Sequence, residues 1–226
     1  MDRGFETLSI GGESVRMYAS GVGQAGHRVV VFHPWWGLND DVIAYADRLA
    51  GAGCSVVAPD LVRGRVASTI ESAESISSTI DEAHADGVAL AAIDRLAGSD
   101  TEASVGTLGF SMGAPWAIWC AAQRPAVAAS IVYYGTAHGP TLTRASVPVL
   151  GHFAENDPYE TAESVLAFER ELREAGRHAL IHRYPGTGHW FAEPSRDAWT
   201  PEAAGLAFER TVAFLRERIG AKRSST

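Results

Sequence analysis

The chain is 226 residues long, 46% hydrophobic and 20% charged, with a formal net charge of −8, a size and balance that suit one globular core. Lys222 is its single lysine, and no basic stripe interleaves with aromatic residues, which argues against nucleic-acid binding. No apolar run approaches the roughly 18 residues of a membrane span, and the opening MDRGFETLSI lacks an apolar signal core. The expected location is therefore the cytoplasm, with no membrane partner.

In chain order, two alternating segments near residues 5–10 and 14–19, separated by GGE, read as a hairpin. RVVVFH (28–33) is a continuous apolar run, as expected of a strand buried on both faces. Residues 39–50 follow with Val42, Ile43, Ala46, Leu49 and Ala50 on one helical face, Asn39 or Asp40 as cap and Gly51 or Gly53 at the end. CSVVAPD (54–60) is the next strand. Residues 70–97 read as a polar helical stretch and then an amphipathic helix ending at Gly98. Strands are predicted at 104–110, 128–135, 147–154 and 179–184, and helices at 112–123 and 160–175. The last helix carries Thr200 as N-cap, Pro201 at its first position and Gly220 at its end, leaving 221–226 as a frayed tail. Cys54 and Cys120 read as buried thiols, and no CxxC or Cys/His cluster suggests a metal.

After the hairpin, strands and helices alternate, which predicts one α/β domain over 1–220, a mostly parallel sheet covered on both faces. Ligands of such sheets sit beyond the carboxyl ends of the strands, so the residues just after each strand matter most. Ser111 lies there, in GFSMG, after a strand and before a helix. That is the placement of a nucleophile elbow, where glycine or another small residue is needed two positions to either side; Gly109 and Gly113 supply it. The bland alternative is a helix-capping serine. His189 follows the last strand in a Gly/Pro-rich loop and is the candidate base, with His33 and His152 as weaker rivals. Asp157 follows the strand ending at Ala154 and is the candidate carboxylate, with Glu155 as rival. The chain order Ser, Asp, His is that of the α/β-hydrolases. An oxyanion needs two backbone donors. Met112 is one candidate; Pro34 has no N–H, so Trp35 is the other. Trp35, Trp36, Tyr159, Trp190 and Phe191 gather by sequence around the same strand ends and suggest an apolar acyl or alcohol pocket.

These residues together resemble the dienelactone hydrolase family, through HPWWGLND, APDLVRGRVA, LGFSMG, YYG, HFAENDP and YPGTGHWFAEPSR, spread over roughly 28–215. The resemblance implies an eight-stranded α/β-hydrolase fold without a large lid. It implies hydrolysis of esters or lactones without a cofactor, a carboxymethylenebutenolidase-like activity. It sets the triad on Ser111, Asp157 and His189 and the oxyanion amides on Trp35 and Met112. Three positions depart from the family pattern. A serine stands where the founding members carry cysteine, and Pro34 replaces a glutamate linked there to thiol activation. Glu193 replaces an arginine that holds the substrate carboxylate, and would repel an anionic substrate; Arg63 or Arg65 is left to supply the other arginine contact.

The sequence thus points to a serine hydrolase of small esters or lactones, acting as a monomer or small homo-oligomer on a small-molecule substrate. The alternatives are a non-catalytic ligand-binding protein of the same fold and a hydrolase of thioesters or amides. The isomer of the His33–Pro34 bond stays open at this level.

Overall fold

The computed structural model of the protein describes residues 3–23 and 26–219. Eight strands form one sheet in the order β1-β2-β4-β3-β5-β6-β7-β8. They are β1 (Arg3–Ile10), β2 (Glu13–Ser20), β3 (His27–Phe32), β4 (Cys54–Pro59), β5 (Val105–Phe110), β6 (Val127–Tyr133), β7 (Val149–Asn156) and β8 (Ala179–Gly188). The β1–β2 and β2–β4 pairs are antiparallel; every pair from β4 to β8 is parallel. The helices are α1 (Asp40–Gly51), α2 (Ile70–Ser78), α3 (Glu82–Ala97), α4 (Ala114–Gln123), α5 (Pro140–Arg144), α6 (Ala162–Glu174) and α7 (Pro201–Ile219).

Side-chain alternation along β3 shows how the sheet is covered. Val29 and Val31 pack with Val42, Leu49 and Phe208, from α1 and α7. Val30 and Phe32 pack on the opposite face with Val88, Ile93 and Ala117, from α3 and α4. Burial on both faces is why these strands read as unbroken apolar runs. Cys54 and Cys120 are buried free thiols, as the sequence suggests.

Three elements differ from expectation. β8 runs on through Pro185 to Gly188 instead of stopping at Tyr184. It is an edge strand, where proline's missing N–H faces no neighbour and is tolerated. α5, one turn long, is too short to show a hydrophobic period. The segment after Phe110 begins as a 3-10 turn, Ser111–Gly113, before α4. At α7 the Thr200 carbonyl accepts from the Ala204 amide at 2.9 Å, while its hydroxyl turns back and donates to the Ala198 carbonyl. Gly220 and the 221–226 tail lie outside the described residues.

Asn39 caps α1, its side-chain oxygen accepting from the Val42 amide at 3.1 Å. Asn39→Ala is expected to remove about 1 kcal/mol, a fall of about 2–4 °C in Tm by calorimetry. An unchanged Tm would mean the cap contributes nothing.

Candidate active site

Ser111 sits at the carboxyl end of β5, near the middle of the sheet, with φ of +47°. A side-chain-bearing residue enters this left-handed region only when its surroundings force it there. The force comes from backbone packed too tightly for side chains. A Cβ on Gly113 would lie 2.5 Å from the Phe32 carbonyl oxygen and 2.8 Å from that of His33. One on Gly109 would collide with the Gly113 carbonyl, and one on Gly135 would come within 2.5 Å of the Ser111 carbonyl oxygen. Gly113 thereby draws the turn carrying Met112 against the end of β3, where the Trp35 loop begins. That loop is a turn closed by the Gly37 amide on the Pro34 carbonyl. Among the described residues no peptide bond is cis, so His33–Pro34 is trans.

His189 enters from the end of β8. Its Nε2 lies 3.0 Å from Ser111 Oγ. Its Nδ1 lies 2.9 and 2.8 Å from the two carboxylate oxygens of Asp157, at the end of β7. Asp157 is fixed by its own loop, since Oδ1 also accepts from the amides of Tyr159 and Glu160. The imidazole and carboxylate are almost fully buried. A proton on Nδ1 directed at Asp157 leaves the Nε2 lone pair facing the serine hydroxyl, the tautomer that can accept its proton. The rival residues are engaged elsewhere. His33 uses both ring nitrogens, on the Pro34 carbonyl and the Leu61 amide. His152 is buried between Tyr184 and Thr211, and burial holds it well below the usual histidine range. Glu155 accepts from the Gly186 amide.

Aromatic rings surround His189. Tyr159 packs 4.9 Å and Trp190 5.1 Å from the imidazole, centre to centre. Trp35 touches Trp36, Tyr159 and Trp190, forming one cluster. Trp35 and Trp190 are half-buried and Tyr159 is 46% exposed, so these three border open space. Trp36 is buried beneath the Arg196 guanidinium. The indole N–H groups of Trp35, Trp36 and Trp190 find no acceptor among the described residues. Phe191, expected in the pocket, packs instead in the core against Tyr133, Tyr134 and Tyr184, because its turn directs it beneath the sheet end.

The charged residues differ most from expectation. Arg63 is committed to Glu13 and Asp81 at the surface. Arg65 binds the Val62 carbonyl and the Thr79 hydroxyl. Both guanidinium groups are thus engaged within the protein. Glu193 is 2% exposed and accepts from the Tyr134 hydroxyl at 2.9 Å. Burial, with Asp41 nearby, pushes its carboxyl up to about 8, against the smaller lowering effects of the Tyr134 bond and Arg196. Near neutral pH it is largely uncharged, so the expected repulsion of anions does not arise from it. The sequence reading did not single out Tyr134 or Arg196. Tyr134 could have been found in YYG, at the carboxyl end of β6 and so on the same edge as the triad.

The dienelactone hydrolase family model matches residues 16–219. The chain belongs to that family. A protein of Aquifex aeolicus named "Putative carboxymethylenebutenolidase" is 29% identical over 225 residues, 91% of this chain and 94% of its own. A Bradyrhizobium protein named "Probable 2-oxo-3-(5-oxofuran-2-ylidene)propanoate lactonase" is 30% identical over 132 residues, 53% of each chain. Among solved structures, a dienelactone hydrolase homologue of Klebsiella pneumoniae superposes with a TM-score of 0.82 at 22% identity, covering 96% of this chain and 98% of its own. These relatives support a hydrolase of the lactone and ester type. Among the described residues no helix is long and apolar enough to cross a membrane.

The Glu193 carboxyl gives a signed prediction. Below about pH 4.5 it is protonated in both folded and unfolded chains. As pH rises towards 8 the unfolded chain loses that proton while the folded one keeps it, so the group's contribution to stability declines and levels off above about 8. Glu193→Gln lacks this decline. Its Tm relative to wild type should rise by several °C between pH 5 and pH 8 and then hold steady. Parallel Tm curves across that range would show that Glu193 titrates normally.

Proposed function

We propose that the chain is a serine hydrolase that cleaves a small carboxylic ester or lactone through an acyl-serine intermediate. The observation that carries this reading is the unbroken chain of short contacts from Ser111 Oγ through His189 to Asp157, on a serine held at positive φ. Ser111 Oγ attacks the carbonyl carbon while His189 Nε2 takes its proton. Asp157 stabilises the imidazolium that results. The amides of Trp35 and Met112 hold the tetrahedral oxyanion; losing one such donor typically costs about 3–4 kcal/mol of barrier. Collapse expels the alkoxide, which takes the proton back from His189. Water, deprotonated by His189, then attacks the acyl-Ser111 ester, and the acid departs as Ser111 recovers its proton.

The half-buried rings of Trp35 and Trp190, with Tyr159 at the rim, suit a flat or apolar acyl or alcohol group.

The test is intact-mass and peptide-mass analysis after incubation with a fluorophosphonate, alongside turnover of a p-nitrophenyl ester. Wild type is expected to gain one adduct, on Ser111, and to lose activity in step. Ser111→Ala should take no adduct and lose at least about 10³-fold in kcat, and His189→Ala should label far more slowly. Normal turnover by Ser111→Ala would overturn the mechanism. An inert wild type would favour a ligand-binding role for this fold.

A further inference from the structure

Four residues beyond His189, the same loop sends a second side chain back into the protein. Trp190 takes φ of +67°, and the Phe191 amide closes a turn on the Gly188 carbonyl while that of Glu193 bonds the Trp190 carbonyl. The loop therefore doubles back on itself, and Glu193 drops beneath His189 to meet the hydroxyl of Tyr134. Tyr134 is fully buried, and its ring packs 4.9 Å from the His189 imidazole. Its backbone is held at φ of +37°, an uncommon conformation for tyrosine, with its amide on the His152 carbonyl at 2.7 Å. The next residue, Gly135, abuts the Ser111 backbone. One side chain thus touches the histidine, leads directly into the residue behind the serine, and grips the loop that delivers the histidine.

We propose that the Tyr134–Glu193 hydrogen bond is a clasp that positions His189, fixing the imidazole ring so that Nε2 faces Ser111. The inference rests on the serine-hydrolase reading. Glu193 and Tyr134 touch neither the nucleophile's oxygen nor Asp157; they act through the ring of His189. Among the described residues no other side chain bonds the Tyr134 hydroxyl, so loss of the acceptor leaves a buried donor unpaired and loosens the loop beneath His189. A displacement of about 1 Å in a catalytic group can cost on the order of 10²-fold in rate. The groups that bear electrostatically on Glu193 are Tyr134 just beyond β6, Asp41 from α1 and Arg196 from its own loop. The second carboxyl oxygen of Glu193 has no partner among the described residues, so the side chain's hold on the end of β6 is the Tyr134 bond alone, while Ser195 ties the far part of the loop to Asp41 and the Thr200 amide bonds the Phe191 carbonyl.

Three variants test the clasp. Tyr134→Phe keeps the ring against His189 but removes the donor. Glu193→Ala removes the acceptor. Glu193→Gln keeps an acceptor of the same shape. Tyr134→Phe and Glu193→Ala are expected to lower kcat for a p-nitrophenyl ester about tenfold with KM within about twofold, and the double variant to lose no more than either. Glu193→Gln should recover most of the loss. A readout independent of turnover is the downfield proton resonance of His189 Nδ1. It should be sharp in wild type and Glu193→Gln and broadened in the other two. If esters are not turned over at all, the serine-hydrolase reading fails while the resonance still judges the clasp. Should Glu193→Ala not fold, Tyr134→Phe decides. A Tyr134→Phe protein with wild-type kcat and an unaltered resonance would overturn the proposal. So would a Glu193→Gln variant as impaired as Glu193→Ala at native Tm.

Discussion

A single backbone conformation, the positive φ of Ser111, organises the active edge of this protein. It is held because three glycines let main chain meet main chain: Gly109 against Gly113, Gly113 against the end of β3, and Gly135 against Ser111 itself. None of these contacts could be relieved by a rotamer change, since the opposing atoms are backbone apart from the Ala114 methyl. The same crowding that strains the serine brings the ends of β3, β5 and β6 together. It also fixes the distance across which the loops after β7 and β8 must reach.

Those loops are backed by polar contacts that an apolar core would not provide. Tyr45 bonds Tyr133, Tyr133 bonds Thr211, Thr211 bonds His152, and His152 bonds Tyr184. The chain crosses α1, β6, α7, β7 and β8 in turn. Every member is buried and satisfied, the condition under which such a network adds rigidity rather than a penalty. Burial keeps His152 uncharged and its tyrosines protonated, so the network adds no buried charge close to the triad. Strand ends held this way give the His189 and Asp157 loops a fixed base.

Much of this was legible in the sequence, and the reasons are specific. Parallel strands buried on both faces announce themselves as runs such as RVVVF, and Asn39, Gly98 and Pro201 mark helix ends through local chemistry. The Ser111–His189–Asp157 cluster was readable because each member follows a strand. The comparison failed where meaning depends on what a side chain meets across the fold. Arg63 and Arg65 looked available until Glu13, Asp81 and Thr79 were seen to occupy them. Phe191 and Trp190 are neighbours of equal promise in sequence, yet one turn sends the first inward and leaves the second beside the imidazole. Glu193 reads as a charge facing the substrate, and only its long-range partner Tyr134 reveals a buried, largely neutral acid. The end of the last strand was missed because whether a strand tolerates a proline such as Pro185 depends on edge or centre, a property of the assembled sheet.

The position of β8 has a consequence for how the protein fails. It is paired on one side only, to β7, yet it carries the histidine loop. Edge elements open at lower free energy than the centre of a sheet. Fraying there would carry His189 away from Ser111 while β3 to β6 and their helices remained intact. In the serine-hydrolase reading the site would then depend on the pairing of β7 with β8, and its loss would part His189 from Ser111 without melting the body of the protein.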